Sequence, residues 1–105
     1  MALTNTRLTD TEPTTVFTAV GQQAITTIHI CNTTGTNAAV NVFAVNSDDS
    51  TGAGEDNQIY SALEISSNDT YVISTEKMIL DDSDLIEVEA NISNAITVTV
   101  SSIAV

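Results

Sequence analysis

Apolar and polar positions along this chain change places at short range. The runs AITTIHICN (24–32), AAVNVFAVN (38–46), NQIYSALEI (57–65), TYVISTEKMIL (70–80), DLIEVEA (84–90) and AITVTVSSIAV (95–105) follow one another at close intervals and are rich in β-branched residues. That composition and period predict strands, and no segment carries the apolar stripe of a helix. A two-residue period puts Ala24, Thr26, Ile28 and Ile30 on one face of the first run and Ile25, Thr27, His29 and Cys31 on the other. In the second run Ala39, Asn41, Phe43 and Val45 oppose Val40, Val42 and Ala44. Both strands are therefore expected to be covered on each side, with a partner molecule hiding one of the faces. Farther on, Leu85, Glu87 and Glu89 oppose Ile86, Val88 and Ala90.

The breaks between the runs are short and rich in turn-forming residues. TTGTN (33–37), with Gly35 at its centre, reads as a hairpin turn between two strands, SSND (66–69) and DDSD (81–84) as compact turns, and NISN (91–94) as the turn closing the last hairpin. The one long loop is SDDSTGAGED (47–56), a natural surface for contacting a partner. At the start, ALTNTRL (2–8) is weakly apolar and TDTEP (9–13) interrupts it, because Pro13 has no amide to give to a ladder. Residues 1–13 are thus expected to be an N-terminal arm or edge strand able to reach a neighbour, and residues 14–105 a single domain. The fold expected is an all-β antiparallel sandwich or jelly-roll-like module of about seven or eight strands.

Composition narrows what such a module could do. At 105 residues, 42% hydrophobic but only 4% aromatic, the chain must build its core from Ile, Val, Leu and Ala, and a domain this small gains from burying more surface against copies of itself. Fourteen carboxylates stand against Arg7 and Lys77, a net charge of −12. Nucleic acid is excluded as a partner, since its phosphates need clustered cations. No run is long and apolar enough for a membrane-spanning helix, and MALTNTRLTDTEPTT has neither the basic start nor the apolar stretch of a secretory leader, so synthesis and folding inside a cell are expected.

Candidate chemistry is sparse. His29 and Cys31 fall two residues apart on one strand face, but their Cα atoms would be roughly 6–7 Å apart. No glycine-rich loop or helix N-terminus is at hand to activate the thiol. Cys31 is the only cysteine, so it forms no intrachain disulfide. Around the long loop, Asp48, Asp49, Glu55 and Asp56 are candidate ligands should a cation be held there, and Asp81, Asp82 and Asp84 crowd a turn. Neither spacing is that of an EF-hand, and a solvated acidic loop is the expectation. Asn32, Asn68 and Asn91 head Asn-x-Ser/Thr triplets of the kind that a chain rich in Asn, Ser and Thr produces by chance. No phosphate-binding glycine loop, zinc-ligand spacing or pair of carboxylates with sugar-holding aromatics stands out, so no catalytic residue, cofactor or enzymatic activity is expected.

In order, IHICNTTG, VNVFAV, IYSALEISSNDTYVISTEKMIL, DLIEVEA and ITVTVSSIAV resemble the small virion structural proteins of tailed bacteriophages, particularly those of cyanobacterial and marine phages. The resemblance covers about residues 14–105 and rests on strand and turn residues. It implies a non-enzymatic particle component made in the host cytoplasm. A capsid decoration or cement-type accessory is one form, assembled as a homotrimer or other cyclic oligomer and bound to virion proteins such as the major capsid protein. The alternative it implies is a neck, tail or fibre accessory with a receptor- or carbohydrate-binding role. It transfers no site residues, and the acidic loop at 47–56 is a departure from the pattern.

Overall fold

The computed structural model describes residues 2–46, 53–54, 57–74 and 78–105, and among them nine strands and no α-helix. Two antiparallel sheets face each other. Sheet I runs in the order β1 (Ala2–Arg7), β9 (Ile96–Ala104), β3 (Gln23–Asn32), with β6 (Thr70–Ile73) and β7 (Met78–Leu80) both on the far side of β3. Sheet II runs β2 (Thr14–Thr18), β8 (Leu85–Ala90), β4 (Ala38–Val45), β5 (Gln58–Ile65). Because β6 pairs with Ile28–Cys31 and β7 with Gln23–Ile25, the two act as one interrupted edge strand. Counted so, the sheets hold strands one, eight, three, six and two, seven, four, five, which is the jelly-roll order.

The first residues belong to this sandwich. Ala2–Arg7 pair with β9 from Ser102 back to Thr97, and Leu8 is completely buried in the central cluster. An apolar anchor directly after the strand holds the segment to its own sheet, so of the two forms expected for residues 1–13, arm or edge strand, residues 2–7 take the edge strand.

Bulges decide which side chains enter the core. In β3 the partner of Ile25 is Ser102 and that of Thr27 is Ser101, so Thr26 is the extra residue. Its hydroxyl donates to the Ser101 carbonyl at 3.1 Å and lies 3.0 Å from the Ser101 hydroxyl. The consequence corrects the simple alternation: Ile25, Ile28 and Ile30 all point inward, whereas Ala24, Thr27, His29 and Cys31 point out. Strand β3 is one-sided. In β2 a bulge between Thr15 and Phe17 buries both Val16 and Phe17. In β5 it falls at Ala62, whose φ of 52° lies in the left-handed region, and brings both Tyr60 and Leu63 to the core side. Strand β4 is covered on both sides, as its sequence suggests. Val40 and Val42 face the core, while Phe43 and Val45 face outward by their register with β8 and are still buried, apart from the central cluster.

Sequence-adjacent strands mostly lie in opposite sheets. TTGTN joins β3 of sheet I to β4 of sheet II, and NISN joins β8 to β9 across the same gap, so neither is the hairpin that its composition suggests. The corner at TTGTN turns on Asn32, which is fully buried. Its amide donates to the Thr36 carbonyl at 2.8 Å and the Ile65 carbonyl at 3.0 Å, and its Oδ1 accepts from the Thr34 amide at 3.0 Å and hydroxyl at 2.8 Å. One side chain thus ties the end of β3 to the turn after it and to the end of β5. The turn at DDSD is fastened in the same manner. Asp82 accepts from the Gly21 amide at 2.8 Å, Asp81 from the Gln22 side chain at 3.2 Å, and Asp84 from the Asp81 amide at 3.0 Å. Gly21, at φ 71°, presents that amide from a conformation that a side chain would strain.

Two substitutions test these attributions. Asn32→Ala removes the side-chain donor to the buried Ile65 carbonyl and to the Thr36 carbonyl and the acceptor of the Thr34 amide, and equilibrium urea unfolding is expected to show a loss of about 3 kcal/mol. A loss under about 1 kcal/mol would mean that the corner does not depend on this amide. Ala62→Gly removes a side chain from a left-handed backbone, so its unfolding midpoint is expected to rise by the equivalent of about 0.5–1 kcal/mol, while Ala39→Gly on neighbouring β4 lowers it by a similar amount. Equal losses at both positions would contradict strain at Ala62.

Candidate assembly surface

Antiparallel partners share a face, so register fixes what the outer side of sheet I displays. Across the middle run Asn5, Thr99, His29 and Val72, and on one side of them Arg7, Thr97, Cys31 and Thr70. On the other side come Leu3, Ser101 and Thr27, and then Ile103, Ala24 and Ile79. The surface is hydroxyl-rich in the centre and aliphatic at one end. Leu3 is 68% exposed, Ile79 64%, Val72 46% and Ile103 41%. These are large apolar areas for strand side chains, and three of them gather toward one end of the sheet: Leu3 lies diagonal to Ile103, and Ile103 and Ile79 flank Ala24, while Val72 stands apart beside His29.

Charge separates this face from the rest of the molecule. Among the described residues its only ionisable groups besides the Cys31 thiol are Arg7 and His29, and it carries no carboxylate. The outer side of sheet II instead presents Glu87 and Glu89 from β8 and Glu64 from β5. There Thr15 donates to Glu87 at 2.9 Å and Asn41 to Glu89 at 2.9 Å. The remaining described carboxylates, Asp10, Glu12, Asp69, Asp81, Asp82 and Asp84, lie in connections. In a chain of charge −12, one broad sheet face carries no carboxylate among the described residues.

The residues singled out from the sequence fall into place around it. His29 and Cys31 share the outer face of β3 as their spacing requires, and both are flanked by hydroxyl and aliphatic neighbours. Thr99 and Val72 pair with His29, and Thr97 and Thr70 pair with Cys31. None of these four can orient an imidazole as a carboxylate does. Asp48, Asp49, Glu55 and Asp56 lie outside the described residues. Among the described residues no group of three or more His, Cys, Asp or Glu is placed to hold a metal ion, and the three carboxylates at 81–84 accept hydrogen bonds from the protein itself. Asn32 is inaccessible at the sheet corner, so its triplet is no acceptor for a sugar in the folded chain. Tyr60 and Tyr71 meet edge to face across the gap between β5 and β6, with ring centroids 6.4 Å apart. A shallow groove of about 300 Å³ on the sheet II side is lined by Thr11, Ala39, Asn41, Ala62, Glu89, Ala90 and Asn91, with no aromatic ring for stacking against a sugar.

The sequence holds a trace of this face. No Asp, Glu, Lys or Arg occurs between Glu12 and Asp48 or after Glu89, and those two stretches supply β3 and β9, the central strands of sheet I. Comparison with protein-family models, with curated proteins and with solved structures finds no match to this chain.

Proposed function

We propose that this chain is a non-enzymatic structural protein of a phage virion, a capsid decoration or cement-type accessory that works by assembling with copies of itself and with other virion proteins such as the major capsid protein. The observation that carries the reading is the outer face of sheet I, which on a strongly acidic chain combines exposed aliphatic side chains, neutral hydroxyls and, among the described residues, no carboxylate. Exposed apolar surface of that kind is costly to leave in water and is retained where a protein surface covers it. The acidic side of sheet II complements this, because like charges on the outward side keep assembled particles from clumping. The resemblance of residues 14–105 to small virion proteins supplies the setting, the particle, and synthesis in the host cytoplasm follows from it.

Quantitative mass spectrometry of purified particles tests the reading. Copies on the order of hundreds per particle are expected for a decoration protein distributed over a symmetric shell. About a dozen copies or fewer would instead favour the neck, tail or fibre accessory with a receptor- or carbohydrate-binding role. Absence from particles whose other proteins are fully recovered would overturn both.

A further inference from the structure

We infer that the partner of the sheet I face is a second copy of the same chain, packed face to face about a two-fold axis that runs parallel to the strands. This inference rests on the reading of the chain as an assembly module and specifies which surface assembles and with what.

Charge selects the occupant. Two copies each of charge −12 repel wherever carboxylates meet, and the outer face of sheet I is the broad strand surface where, among the described residues, none do. A basic partner would find nothing there to pair with, since its salt bridges lie on the Glu64, Glu87 and Glu89 side. A copy of the face finds its own kind. Thr27, Thr97, Thr99 and Ser101 carry hydroxyls that both donate and accept, so identical surfaces can satisfy one another without opposite charges. Area is of the right order too. The strands of the sheet are six, nine and ten residues long, with four and three in the interrupted edge, and at about 3.3 Å per residue and about 4.8 Å between strands they span roughly 500 Å² in projection, which pleating and side chains bring toward the roughly 800 Å² per partner of a stable interface.

The arrangement of the face fixes the direction of the axis. A two-fold axis across the strands would lay the aliphatic end of one copy over Arg7 of the other. An axis along them places like ends together and exchanges the edges, so that Leu3 on β1 of each copy meets Ile79 on β7 of the other while Ile103 meets Ala24. This second arrangement buries the exposed aliphatics against one another at the spacing of about 10 Å usual for stacked sheets. The contact is isologous, the same patch on both copies, and therefore closes at two.

Light scattering after size exclusion, with sedimentation equilibrium, tests the inference on the full chain. The expected mass is twice the 11.0 kDa of the chain. His29→Glu and, independently, Ile103→Asp place carboxylates on the face at exposed positions, and each is expected to weaken the dimer by about a hundredfold or more, because like charges are forced together where water is excluded. Ser61→Glu adds the same charge on exposed β5 of sheet II and is expected to leave the dimer intact. Far-UV circular dichroism confirms that each variant is folded. For the axis, Leu3→Cys and Ile79→Cys chains, both also carrying Cys31→Ser, are expected to be joined by a bismaleimide cross-linker long enough to span the gap between stacked sheets when mixed, and more so than either alone. A wild-type monomer at concentrations up to the millimolar range, or a dimer indifferent to both face substitutions, overturns the inference. Cross-links confined to the unmixed chains overturn the axis. The inference and the virion reading fail separately: a monomer found in particles sinks the first and leaves the second, and a sheet I dimer absent from particles does the reverse.

Discussion

Sheet I is built on the pairing of β9 with both β1 and β3. The C-terminal strand enters between the first strand and the third, giving Ile96, Val98 and Val100 to the core and Thr97, Thr99 and Ser101 to the outside. Everything else in that sheet attaches to this pair: β1 on one side, β6 and β7 on the other through β3. Bringing the two ends of the chain together requires the whole intervening segment to be closed into a loop, an entropic cost that only the buried aliphatic surface between the sheets can offset. The core therefore holds the topology, and the topology in turn creates the outer face.

The bulge at Thr26 connects the two. Strict alternation through β3 would leave Ile25 outside with His29 and Cys31, and send Thr26 inward beside Ile28 and Ile30. The extra residue lets three isoleucines enter the core and leaves Ala24, Thr27, His29 and Cys31 on the outside. The outer face of sheet I carries no carboxylate among the described residues yet still exposes Leu3, Val72, Ile79 and Ile103, and under the assembly proposed above two such faces meet without opposing carboxylates.

Polar residues in this molecule act chiefly at corners. Asn32 makes its four hydrogen bonds where the chain leaves one sheet for the other, and the carboxylates of 81–84 bind the Gly21 turn. Residue types that suggested sugar attachment or cation binding serve instead to satisfy backbone groups that no ladder reaches. The sequence cannot distinguish these roles, because an Asn followed by Thr-Thr looks the same whether it is buried or exposed. His29 and Cys31 illustrate the opposite case. Their shared face was legible from the two-residue period, and what surrounds them came from β9 and β6, far away along the chain.

By itself the sequence determined the strands, their approximate limits and the all-β class, since β-branched runs and turn residues act over a few neighbouring positions. It determined the acidity and the aliphatic core as well. It did not determine which strands pair. TTGTN and NISN carry hairpin chemistry, yet both cross between sheets, and among the described residues only β4 and β5 of the consecutive strands pair with each other. Nor did it determine which face of β3 is inside, because one bulged residue inverts the alternation on one side of it. Local propensity reads neighbours in the chain, whereas pairing and burial are decided by residues brought together from its two ends. For that reason the outer face of sheet I, assembled from residues 2–7, 23–32, 70–73, 78–80 and 96–104, exists only in the folded molecule.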